Sequence, residues 1–96
     1  MIVHIVMFQF KDENRDTNIA KTKAMLEALV EKIEVLKKME VGIDFNRSER
    51  AFDLSLYSTF KSKEDLKTYA THPAHLEVVS FIKEVTSASK VVDYTL

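Results

Sequence analysis

Cysteine and tryptophan are absent from these 96 residues, and glycine and proline occur once each. Without cysteine, a disulfide framework and a thiolate zinc site are both excluded. With so little glycine and proline, long irregular connections are disfavoured and the turns should be short. No sign of charge dominates either. Fourteen Lys and Arg against fifteen Asp and Glu leave a formal net charge of -1, which offers no electrostatic footprint for a nucleic-acid backbone or an anionic membrane surface. No apolar run reaches membrane-spanning length. The opening IVHIVMFQF has no basic lead and no small-residue cleavage site, so it reads as a strand rather than a leader. The expectation is one domain, residues 1–96, with a cytoplasmic address.

What is present is a folding composition: 46% hydrophobic and 30% charged residues. In the opening segment Ile2, His4, Val6, Phe8 and Phe10 alternate with Val3, Ile5, Met7 and Gln9. Both sets are mostly apolar, which predicts a central strand covered on both faces. Ile19, Leu26, Leu29, Val30, Ile33 and Leu36 recur at helical spacing and predict a helix from Thr17 to Lys38, with Asp16 and Thr17 as candidate caps. Strand two is expected in Glu40–Ser48, with Val41, Ile43 and Phe45 on one face. Strand three is expected in Glu49–Phe60, with Phe52, Leu54, Leu56 and Phe60 inward, and NRSER as the hairpin turn. Ser62 and Asp65 form a capping pattern for a short helix carrying Leu66 and Tyr69. Pro73 breaks that helix and opens a second segment to Thr86, with Val78, Val79, Ile82 and Val85 as its stripe. Strand four is SKVVDYTL, with Val92, Tyr94 and Leu96 inward. The order β-α-β-β-α-β predicts an α+β, ferredoxin-like fold with an antiparallel sheet and strands one and three at its centre.

Helices cover one face of such a sheet. The other face is expected to carry Val3, Ile5, Met7 and Gln9; Gly42, Asp44 and Asn46; Asp53, Ser55, Tyr57 and Thr59; and Val91, Asp93 and Thr95. An apolar centre with small polar flanks suits a symmetric sheet-to-sheet homodimer. An RNA-binding face would need stacking aromatics and basic residues on strand three, where Tyr57 stands alone beside Asp53.

The three histidines are the chemistry-bearing residues. His4 belongs to the strand-one set that includes Val6 and Phe8, which places it toward the helices. His75 shares a helical face with Val79 and Ile82, and Tyr69 follows Leu66 by three. All three are expected to open into one apolar cavity between sheet and helices, where neutral imidazoles can move protons and a phenol can orient a substrate. The same spacing also suits an ordinary packed histidine with one hydrogen-bond partner. His72, just before Pro73, is expected to be a hinge or cap facing outward. A metal held by His4, His72 and His75 is disfavoured because Pro73 interrupts the helix that would aim the last two at one ion.

The segments HIVMFQFKD, HPAHLEVV and VVDYTL, in this order and at these separations, resemble the stress-responsive dimeric α/β-barrel family, Dabb. The resemblance runs from His4 to Leu96. It implies a ferredoxin-like subunit that pairs face to face with a second to form a dimeric α/β barrel. One plant branch of the family closes polyketides by aldol condensation without metal or cofactor, and its essential histidines and tyrosine fall by motif on His4, Tyr69 and His75. The chain departs from that branch at Leu26, where the branch has a pocket tyrosine, and at Glu77–Ser80, where it has a glycine-rich run. The resemblance thus implies a homodimer binding a small apolar, phenolic or carbonyl ligand, with no cofactor, no metal, no nucleic acid and no membrane. As an enzyme it would use His75 as general base, Tyr69 to orient or polarise, and His4 to hydrogen-bond a carbonyl. A non-catalytic stress-related or ligand-binding homodimer and a cofactorless monooxygenase are the alternatives.

Overall fold

The computed structural model describes residues 1–96. The elements are β1 (Ile2–Phe10), α1 (Arg15–Lys32), β2 (Lys38–Ile43), β3 (Leu54–Phe60), α2 (Lys63–Thr71), α3 (Pro73–Val85) and β4 (Thr86–Thr95). The sheet is antiparallel with order β2-β3-β1-β4. It is the expected ferredoxin-like arrangement, with the second helix split in two and β1 and β3 central. No helix is long and apolar enough to cross a membrane.

The boundaries depart from the sequence reading where apolar periodicity outlasts the element. Helix α1 begins two residues early, after Asn14 in a left-handed conformation (φ 51°), and neither Asp16 nor Thr17 caps it. It ends at Lys32 rather than Lys38, because Ile33 is already extended. Ile33 and Leu36 are nevertheless buried: the link to β2 packs on the same core as the helix, so the apolar stripe continues without the helix. The short helix α2 does use Ser62, whose hydroxyl accepts the Asp65 amide at 3.1 Å.

Strands β2 and β3 are shorter than expected. The connection runs from Asp44 to Asp53 and is closed by the Asp44 amide donating to the Asp53 carbonyl. Within it Arg47 is left-handed (φ 54°) and donates its amide to the Asp44 carboxylate. Ile43 and Phe45 therefore lie outside the core. Phe45 is 92% exposed.

Strand β4 has the opposite parity from the one expected. His4 pairs with Asp93, Val6 with Val91 and Ile2 with Thr95, so these residues share the helix-facing side. Val92 and Tyr94 fall opposite Ile5 and Val3, on the open face. The register shifts once, between Gln9 and Phe10. Because side chains alternate with period two, a one-residue difference exchanges the two faces of a strand. The open face is consequently more apolar than the alternation suggested: Val3, Ile5, Met7, Tyr57, Val92 and Tyr94.

Sixteen buried apolar residues form one core between sheet and helices, from Ile2 and Phe10 in β1 to Val78 and Ile82 in α3. At its end, Asp53 is also buried, 2% exposed. Its carboxylate accepts the Phe10 amide (2.7 Å), the Arg47 guanidinium (2.7 Å) and the Arg15 guanidinium (3.2 Å). Burial by itself would raise the pKa of this carboxyl. The Phe10 amide, then Arg47 and Arg15, outweigh it and hold the group below the usual carboxylate range. Asp53 thus ties β1, α1 and the β2–β3 connection together. Asp53→Ala should cost about 2–3 kcal/mol in urea unfolding at neutral pH, because the Phe10 amide loses its acceptor. Since the folded pKa is depressed, this stabilisation is present above the ordinary carboxylate value and fades as pH falls below it. A loss under about 0.5 kcal/mol, the usual size of a surface change, would show that Asp53 does not brace the fold.

Candidate functional site

The site is built at the joint between α2 and α3. Proline lacks an amide hydrogen, so Pro73 cannot close the helical bond to Tyr69 four residues earlier. The Tyr69 carbonyl instead accepts the His72 amide, and α2 ends there. The amide of Ala74, which in a continuous helix would donate to Ala70, donates to His72 Nδ1 at 3.0 Å and starts α3. His72 is thereby the N-cap of α3, and the Ala70 carbonyl is left for another donor. His75 fills the place: its Nδ1 lies 3.0 Å from the Ala70 oxygen. A carbonyl can only accept, so Nδ1 carries the hydrogen and Nε2 keeps a lone pair.

This joint sets His75 against Tyr69, with ring centroids 4.3 Å apart. Tyr69 packs in turn on Phe60 of β3 (5.0 Å) and on His4 of β1 (6.3 Å). The three residues expected to act together are therefore adjacent, with Tyr69 between the histidines. Two features differ from the expected cavity. Tyr69 is only 1% exposed, and none of the three rings lines a major recess of the surface. Its hydroxyl, although buried, has no hydrogen-bond partner in the protein, a deficit worth about 1–3 kcal/mol.

The sequence reading missed Asp93. Its carboxylate hydrogen-bonds Nδ1 of His4, so neutral His4, like His75, presents an Nε2 lone pair. Burial pushes the His75 imidazole below its ordinary value of 6.5; the bond to Ala70 opposes this shift, and the charges of His4 and His72 reinforce it. Burial raises the Tyr69 phenol, which keeps it a donor.

A recess of about 510 Å³ lies between α2 and the end of β4, lined by Ile2, Lys63, Leu66, Lys67, Ala70, Asp93, Tyr94 and Thr95. It reaches the carboxylate that holds His4 and the residue whose carbonyl holds His75. A second recess of about 610 Å³ lies at the β2–β3 connection, bordered by Met7, Phe45, Arg50 and Phe52, and neither recess is lined by a histidine or by Tyr69.

Comparison with known proteins agrees with this architecture. A stress-response A/B barrel domain-containing protein of Arabidopsis thaliana is 39% identical over 79 residues, 82% of this chain. The chain spans 30% of the length of that plant protein. A dimeric protein of unknown function with a ferredoxin-like fold from Bacteroides fragilis superposes with a TM-score of 0.91 at 34% identity, over 99% of this chain and 95% of that one. A hydroxynitrile lyase from Passiflora edulis superposes with a TM-score of 0.86, over 97% of this chain and 90% of its own, but at 24% identity, a likeness of fold alone. The model of the Stress responsive A/B Barrel Domain matches residues 2–96, and the chain belongs to that family, Dabb.

Proposed function

We propose that the protein is a homodimeric barrel whose subunits catalyse cofactor-free proton transfer next to the carbonyl of a small, partly apolar compound, as in aldol cyclisation or isomerisation. The observation that carries this reading is the convergence of His4, Tyr69 and His75, with both imidazoles held through Nδ1 by residues, Asp93 and Ala70, that line a recess. His75, neutral because it is buried, takes a proton from the carbon next to the carbonyl: the C–H bond breaks, an N–H bond forms at Nε2, and the electron pair moves to the carbonyl oxygen. The Tyr69 hydroxyl, unpartnered in the protein, donates to that oxygen once substrate is bound. His4, held through Nδ1 by Asp93, stands as a second polar group beside that oxygen. Return of the proton from His75 to a different carbon completes an isomerisation; in an aldol step the enolate carbon bonds to a second carbonyl carbon, whose π pair moves to its oxygen and takes the proton from His75 Nε2.

A non-catalytic ligand-binding dimer is supported by a different observation, the close packing around Tyr69. On that reading the histidines contribute to packing and to the α2–α3 joint.

The open face supports the dimer. Ile5 stands at its centre, paired across to Tyr57 and Val92, and Met7, Val92 and Tyr94 are exposed around it. The Bacteroides fragilis relative is dimeric.

Three outcomes are expected. With benzylacetone as a methyl-ketone probe, exchange of α-protons for deuterium, followed by proton NMR, should slow by about 10²–10⁴-fold in His75→Gln while the circular dichroism spectrum is retained. Absence of protein-dependent exchange, or equal exchange in the variant, would leave the binding dimer. The acid limb of the exchange rate should fall below pH 6.5, the ordinary imidazole value, because a base with a lowered pKa stays neutral further into acid. An NMR titration that puts His75 at or above that value would refute the assignment. In sedimentation velocity the native chain should run as a dimer and Ile5→Glu as a folded monomer, since a central carboxylate would be buried without a partner. A variant that remains dimeric would show that another surface makes the contact.

A further inference from the structure

The recess between α2 and β4 has walls of opposite charge. Lys63 and Lys67 stand four residues apart on α2 and line one wall, a spacing that puts both on one helix face. Asp93 lines the other and is engaged by His4. The recess also includes the apolar Ile2, Leu66 and Ala70. Neither lysine has a carboxylate within ion-pair distance, whereas Lys23, Arg15 and Arg47 do. Two unpaired cations beside apolar side chains match a ligand with an anionic head and a short hydrocarbon body. Its size, about 510 Å³, lies within the range of small-molecule sites.

We infer that Lys63 and Lys67 select carbonyl compounds that bear a carboxylate, with the carboxylate on the α2 wall and the reacting carbonyl directed toward His4 and His75. The orientation follows from charge. A carboxylate near Asp93 would be repelled, while one beside the lysines gains two attractive partners at a half-open surface, where solvent screening keeps each contribution small. The lysines therefore act in binding and discrimination, at a distance from the reacting atoms. This inference rests on the proposed site but concerns which ligands enter it, so it can be tested without turnover.

The test is an amide-NMR titration of the full chain with octanoate, octanol and octylamine. Octanoate should bind more tightly than octanol, octylamine most weakly, and the shifts should centre on Leu66, Ala70 and Thr95. Lys63→Gln/Lys67→Gln should weaken octanoate about three- to tenfold and leave octanol unchanged, and added salt should weaken octanoate in the native chain but much less in the variant. Both lysines are exposed, and glutamine is nearly as good a helix former, so the variant should fold. Equal affinity for octanoate and octanol, no effect of the double substitution, absence of binding, or shifts centred on the β2–β3 connection would each overturn the inference. Octanoate binding of the expected kind without ketone exchange would instead reject the catalytic reading and leave the lysine site standing.

Discussion

The pairing of β1 with β4 governs which groups surround His4. Residue 4 faces the helices because Ile2, Val6, Phe8 and Phe10 bury that side of the strand. Its neighbours across the sheet are then dictated by register: Ser58 on β3 and Asp93 on β4. Shifted by one residue, β4 would put a valine or a tyrosine opposite His4 and turn Asp93 toward the open face. The same pairing leaves Val92 and Tyr94 on that face. A single geometric constraint therefore supplies the carboxylate that holds one histidine and the apolar surface suited to a partner subunit.

The second histidine depends on a defect. A regular helix through residues 63–85 would use the Ala70 carbonyl internally, and His75 would lack that anchor. Proline at 73 interrupts the ladder, His72 takes up the Ala74 amide, and the released carbonyl accepts from His75. The THPAH segment is thus a backbone device that ends one helix, starts another and selects the imidazole tautomer. The rest of the fold supports this device. Phe60 and Tyr69 link it to the sheet, while Asp53, at the far end of β1, braces the strand that carries His4.

The site combines a sealed centre with an accessible side. Tyr69 is as buried as any core residue, yet its hydroxyl has no protein partner. The recess beside it reaches Asp93 and Ala70. In such an arrangement the packed rings set orientation, and burial lowers the pKa of His75. On the proposed reading the lysines on α2 extend the same division outward, since they line the recess at a distance from the histidines.

Element types and order were legible in the chain because amphipathic periodicity and a lone proline are local signals. The two-sided apolar strand marked the centre of the sheet, and the placement of His4 toward the helices, with Tyr69 and His75 toward the same core, followed from alternation and helical spacing. The faces of β4 were not legible. Val91 and Val92 are adjacent and both apolar, so either parity suits the strand, and only pairing with β1, including the shift at Gln9 and Phe10, chooses between them. The end of α1 was hidden for a related reason: Ile33 and Leu36 keep the apolar rhythm although the backbone has left the helix. By itself the sequence determined the local elements and the faces on which most chemistry-bearing residues stand. Tertiary structure decided what those residues touch: Asp93 beside His4, the Ala70 carbonyl beside His75, and the lysines facing Asp93 across a groove. These contacts join residues whose positions depend on pairing and packing over the whole chain, and no local spacing encodes them.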